Sequence, residues 1–125
     1  MKKLLAILAL IAMVPVFAKN DDGPASFTVT KYSFGKVPQG KPVTTEFVFT
    51  NTSGKPLVIE VATAECGCTT PEYPKTPILK GKTGVIKVTY NAANMGLFTK
   101  NVTVKFANIA SPVILTIEGE VIKAE

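Results

Sequence analysis

Alternation with a period of two runs through this sequence. Val43, Thr45, Phe47 and Phe49 share one face of an extended run, with Thr44, Glu46 and Thr50 on the other. The rhythm returns in Ile86, Val88 and Tyr90 against Lys87 and Thr89, and in Val102, Val104 and Phe106 against Asn101, Thr103 and Lys105. It closes the chain in Val113, Leu115, Ile117 and Val121 against Thr116, Glu118 and Glu120. Successive side chains of a strand point to opposite faces, so each run predicts a strand with one buried face. Phe27 to Thr30 and Leu57, Ile59 and Val61 against Glu60 and Ala62 read the same way. Between them lie turn residues: Val37-Pro38-Gln39-Gly40, the Asn51 to Lys55 loop and the Asn91 to Gly96 turn. Gly119 falls on an inward face, which predicts a bulge or a close backbone approach. No window of helical length after residue 18 carries a 3.6-residue stripe. About seven strands at roughly 8–12-residue spacing predict an all-β, antiparallel β-sandwich.

The residue inventory narrows the chemistry. The 125 residues include no histidine and no tryptophan, and all 14 basic residues are lysines. A Ser-His-Asp triad, a Cys-His nucleophile pair and a His-ligated zinc are therefore excluded. So are a guanidinium fork for phosphate or guanine and an antibody-type Cys…Trp…Cys core. The lysines are scattered singly, whereas a nucleic-acid surface wants a clustered patch, so no nucleic-acid partner is expected.

The first twenty residues differ from the rest. Lys2 and Lys3 precede an unbroken apolar run of eleven residues, Leu4 to Val14, and Val16-Phe17-Ala18 offers small residues at a cleavage site. This is the form of a secretory signal peptide over residues 1–18. Eleven residues fall short of the roughly 20 that span a bilayer, so cleavage is expected and no transmembrane segment remains. Residues 19–25 then form a flexible lead-in, and 26–123 a single domain. The mature chain holds 12 lysines against 9 carboxylates, a net charge of about +3.

Both cysteines stand in Glu65-Cys66-Gly67-Cys68-Thr69-Thr70-Pro71, after a predicted strand and at the entry to a loop punctuated by Pro71, Pro74 and Pro77. Residues two apart on a strand face the same way, so the two thiols lie side by side, and Gly67 lets the backbone bend between them. Export implies an oxidising compartment where disulfides persist. A bridge this short closes a tiny loop and contributes little to folding. Three uses stay open. The pair is a thiol–disulfide redox couple, a thiolate site for Cu(I) with Met95 as a further soft ligand, or a local structural feature. Lys75, Lys80 or Lys82 would depress a thiol pKa if folding brought them near. Tyr73 reads as loop packing, and Glu60, Glu65, Glu118 and Glu120 as a solvated sheet face. The sequons at Asn51 and Asn101 read as chance matches.

A wider set of residues carries a resemblance. Phe34-Gly35-x-Val37-x-x-Gly40, Phe47-x-Phe49-x-Asn51, Pro56-Leu57-x-Ile59, Cys66-Gly67-Cys68-Thr69, Gly84-x-Ile86-x-Val88-x-Tyr90 and Gly96-x-Phe98-x-Lys100 occur in this order. The set resembles a bacterial secreted family of unknown function, itself similar to ASPM/SPD-2/Hydin-type immunoglobulin-like domains. The resemblance implies an immunoglobulin-like sandwich, an envelope location and site support from Gly67 and Thr69. One departure is Leu79-Lys80-Gly81, where the family pattern has a proline-glycine turn. The expectation is an exported binding module of the periplasm or cell surface of a Gram-negative bacterium. It has a protein partner, no required cofactor and no catalytic constellation.

Overall fold

In a computed structural model of the chain, residues 24–124 are described. The expected signal peptide and most of the lead-in lie outside them. The described residues form eight strands: β1 (Ala25–Phe27), β2 (Lys31–Pro38), β3 (Val43–Asn51), β4 (Ile59–Ala64), β5 (Thr69–Glu72), β6 (Thr83–Tyr90), β7 (Gly96–Phe106) and β8 (Val113–Ile122). They pair into two four-stranded sheets, ordered β1-β3-β6-β5 and β2-β8-β7-β4. The first strand starts at Ala25, one residue before the expected domain start.

The alternation fills the core. Phe47, Phe49, Ile86, Val88 and Tyr90 of the first sheet face Val102, Val104, Phe106, Leu115, Ile117 and Val121 of the second, and all are buried. Removing each large apolar side chain from water stabilises the fold by roughly 1.5–3 kcal/mol. The Phe49 and Phe106 rings meet edge-on at 5.8 Å and join the two sheets.

Four local features depart from the alternation. The expected strand through Val61 breaks at a bulge between Ile59 and Val61. Glu60 is the extra residue, so Val61 turns outward and Ala62 inward. The run at Phe27 ends after that residue, and the chain crosses through Thr28 to Thr30 into the other sheet as β2. There β2 lies parallel to β8, so the sandwich is mixed rather than wholly antiparallel. Alternation says which residues face inward, not which way a strand runs. The crossing between sheets sets that direction. The third feature is β5, where a proline-broken loop was expected. Pro71 pairs with Val88 within it, which a proline can do on an edge strand. Last, the turn after β2 falls one residue late: the Lys41 N–H donates to Pro38 O at 3.2 Å. Gly40 takes φ 81° at its third position, as a type II turn requires. Leu79–Lys82 closes similarly over Gly81 without a proline.

Gly119 matches its reading. A side chain there would meet Gly35 O at 2.8 Å and the Phe98 ring at 2.9 Å, so backbone approaches backbone closely at this point.

Candidate functional site: a cystine corner between the sheets

β4 is an edge of the second sheet and β5 an edge of the first. Glu65 to Cys68 carries the chain from one to the other. β4 pairs with β7 as far as Ala64 and Val102, and the Glu65 N–H adds one more bond to Asn101 O at 3.3 Å. The Asn101 N–H is then taken by the Glu65 carboxylate oxygen Oε1 at 3.0 Å. The side chain stands in for the strand, and the backbone is released to turn. The Thr69 N–H donates to Cys66 O at 3.3 Å and closes a tight turn. The Asn91 N–H holds Cys68 O at 2.9 Å from the end of β6. Glu65, expected on a solvated face, is thus an anchor of the corner.

Within this turn Cys66 and Cys68 form a disulfide, with their Cα atoms 5.3 Å apart. Both cysteines are half-buried and Gly67 is exposed. Cys68 packs against the core, as does Tyr73. Thr69 is 4% exposed, and its hydroxyl Oγ1 lies 3.8 Å from the Cys66 sulfur and 3.6 Å from the Cys68 sulfur. The bend is present at Gly67, yet glycine is not what permits it. Its φ is outside the left-handed region, and a Cβ there would touch nothing within 4 Å.

The other expected participants divide. Met95 is 57% exposed in the β6–β7 loop, whose first residue, Asn91, binds Cys68, so its loop shares this end of the sandwich. Among the described residues no group of three or more His, Cys, Asp or Glu side chains gathers. Lys75 sits 3.6 Å over the Tyr73 ring. Lys80 and Lys82 belong to the far end of β6, where Asn51 accepts the chain, while the corner lies by Tyr90. The strand between spans roughly 25 Å. Sequence reasoning missed Lys100. Lys100 is half-buried on the inward face of β7 with Phe98 and Val102, next to Asn101, which the Glu65 backbone and carboxylate hold. The lysine in Gly96-x-Phe98-x-Lys100 was the available signal, but only strand pairing connects it to the cysteines.

Glu60 pairs with Lys105 and Glu118 with Lys31, each at 3.3 Å and solvent-exposed. Such pairs contribute about 0–1 kcal/mol. Asn51 cannot carry a glycan in this fold. It is 1% exposed, and its amide nitrogen donates to Lys55 O and Ile78 O, both at 2.8 Å. Asn101 is exposed in β7 and accepts from the Thr116 hydroxyl at 2.9 Å.

Two packed sheets with immunoglobulin-like topology and a cystine at the corner where the chain changes sheet define the class. The chain belongs to DUF1573, a family of proteins of unknown function, which matches residues 25–121. No curated protein matches the sequence. Solved structures show the same fold at low identity. A protein of unknown function from Porphyromonas gingivalis W83 superposes with a TM-score of 0.67 at 14% identity, over 77% of this chain and 46% of that one. This chain therefore spans about half of that protein. The seventh PapD-like domain of human CEP192 gives 0.67 at 10% identity, over 90% of this chain and 94% of that domain. The YadV chaperone gives 0.50 at 16% identity, over 82% and 53%.

Proposed function

We propose that this chain is an exported module of the bacterial envelope, at the periplasm or cell surface, that binds a protein partner through its strand edges. One observation carries the reading: β2 is eight residues long, and among the described residues its outer side has no neighbouring strand. An extended segment of a partner can add to such an edge, with backbone hydrogen bonds for affinity and side-chain sites for selectivity. The bulge at Gly35 and the charges of Lys31 and Lys36 guard this edge against indiscriminate pairing. Similarity to PapD-like domains and to a chaperone agrees with a role in protein binding. Residues 1–18 would direct export. A photo-cross-linking side chain at Lys36 is expected to yield one adduct of defined mass in the native envelope. The same group at Glu46, central on the other sheet, is expected to yield none. Equal labelling from both positions, or no adduct from Lys36, would overturn the reading.

The cystine supports a second reading, thiol–disulfide exchange. Its cysteines are two positions apart and half-buried, and Gly67 between them is exposed. A loop this small removes little entropy from the unfolded chain. The Cys66→Ser/Cys68→Ser variant is therefore expected to unfold cooperatively, less stable by only about 1–2 kcal/mol in urea titration, where a structural bridge costs about 2–5. Redox titration with thiol counting decides the role. A reversible two-electron step above about −300 mV supports exchange, and a lower potential makes the bond structural. Once reduced, the two thiolates with Met95 would suit Cu(I), a soft ion.

A further inference from the structure

β4 leaves the second sheet at Glu65, but β7 continues beyond that point. Residues 96–100 of β7 still pair with β8 on one side, and no described strand covers the other. The parity of β7 identifies what lies bare. The N–H and C=O of Asn101 face β4, so those of Leu97 and Thr99 face the same way, into the space β4 has vacated. The even-numbered residues turn theirs toward β8. Leu97 is 86% exposed, the most exposed large apolar side chain described, and Thr99 is exposed beside it. Cys66 stands at the head of this gap, where the next residues of β4 would have paired. Resting on the exchange reading above, we propose that the bare edge of β7, Leu97 to Thr99, docks an extended, thiol-bearing peptide segment and delivers its sulfur to Cys66.

The occupant follows from the complementarity of the site. Two N–H donors and two C=O acceptors on one strand edge match an extended backbone. Such a strand would lie in line with β4 at about 3.3 Å per residue, so a side chain opposite Thr99 reaches the corner. Lys100, adjacent to Thr99 and to the Asn101 held by Glu65, supplies a cation at this end of β7 that complements a thiolate.

Attack falls on the Cys66 sulfur, because Cys68 packs against the core and its carbonyl is held by Asn91. The peptide thiolate forms a bond to Cys66 Sγ as the Cys66–Cys68 bond breaks. The electron pair leaves on Cys68 Sγ, and the Thr69 hydroxyl donates a hydrogen bond to that thiolate. A second thiol of the same peptide then attacks the mixed disulfide at the peptide's sulfur and frees Cys66. Overall the dithiol peptide loses two electrons and two protons, and the Cys66–Cys68 pair gains them.

The test compares two probes on the mature chain: 2-mercaptoethanol and a synthetic extended peptide, rich in Thr and Val, with two cysteines. Leu97→Pro deletes one edge N–H at the start of β7. It is expected to slow the peptide reaction about three- to tenfold, the loss of one backbone hydrogen bond, and to leave the 2-mercaptoethanol rate unchanged. Equal slowing of both probes, or slowing of neither, overturns the docking edge. Amide hydrogen exchange on the unsubstituted chain needs no proline. Leu97 and Thr99 amides are expected to exchange freely and to become protected in a Cys68→Ser chain joined through Cys66 to the peptide. Protection already present in the free chain overturns the proposal as well. If 2-mercaptoethanol cannot open the disulfide, the exchange reading itself falls. If it can, and the peptide rate ignores Leu97→Pro, only the docking edge falls.

Discussion

Replacing Asn51 by alanine is expected to cost about 3–5 kcal/mol, measured as the shift of the urea unfolding curve at constant slope. The side chain closes the end of the sandwich opposite the cystine. Its Nδ2 donates to Lys55 O and to the buried Ile78 O, both at 2.8 Å. Its Oδ1 accepts from the Ser53 N–H at 2.9 Å and the Ser53 hydroxyl at 2.6 Å. The backbone of the same residue exchanges bonds with Gly81 and Lys82, both at 2.9 Å. An unsatisfied buried polar group costs about 1–3 kcal/mol, and here several lose their partner together. Asn51→Asp separates donors from volume. The shape is kept, the two N–H donors disappear, and negative charge faces two carbonyl oxygens. A loss as large as that of alanine is expected. A cost below about 1 kcal/mol for both variants would show that the network is dispensable.

Phe49→Ala is expected to cost about 3–5 kcal/mol in the same measurement. The ring is fully buried, contacts Phe27 at 5.3 Å and Phe106 at 5.8 Å, and lies across Gly84. A Cβ at Gly84 would lie 2.7 Å from the Phe49 ring carbon Cε1 and 3.2 Å from Ile78 Cδ1. Gly84→Ala alone is therefore expected to cost about 1–3 kcal/mol through overpacking. Combined with Phe49→Leu, it should cost clearly less than the sum of the two, because the smaller side chain vacates the space the methyl needs. Strict additivity would mean that the ring and the glycine do not share one space, contrary to the packing described.

The two variants probe what was legible in different ways. Phe49 was placed inward by alternation alone, because a period of two is a local property of neighbouring residues. Asn51 was read as the start of a turn loop and as a chance sequon. Its burial depends on Ile78, 27 positions away, which no local pattern reports. Val61 shows the limit of periodicity. It belongs to the inward register until the bulge at Glu60 moves it out, and the cause is pairing with Lys105 of β7. Lys31–Pro38 and Thr69–Glu72 were not read as strands because glycine and proline interrupt them. On sheet edges both residues are tolerated.

The candidate site was half legible. The spacing of Cys66 and Cys68 puts both sulfurs on one side of an extended chain, and in the structure the pair is joined. The surroundings were not legible. Lys75, Lys80 and Lys82 are nearer in sequence than Lys100, but β6 carries Lys82 away from the corner while Lys100 follows directly on Asn101, which Glu65 holds.

The sequence by itself determined an all-β sandwich, its principal inward residues and the nearness of its two cysteines, whose joining the structure supplied. Each of these follows from side chains within a few positions of one another, where steric alternation and chain reach act directly. Only the tertiary structure decided the parallel run of β2 beside β8, the exit of β4 at Glu65 and the bare edge of β7 next to the disulfide. Those depend on which distant strands hydrogen-bond to which, and that choice is made by the packing of two sheets against each other.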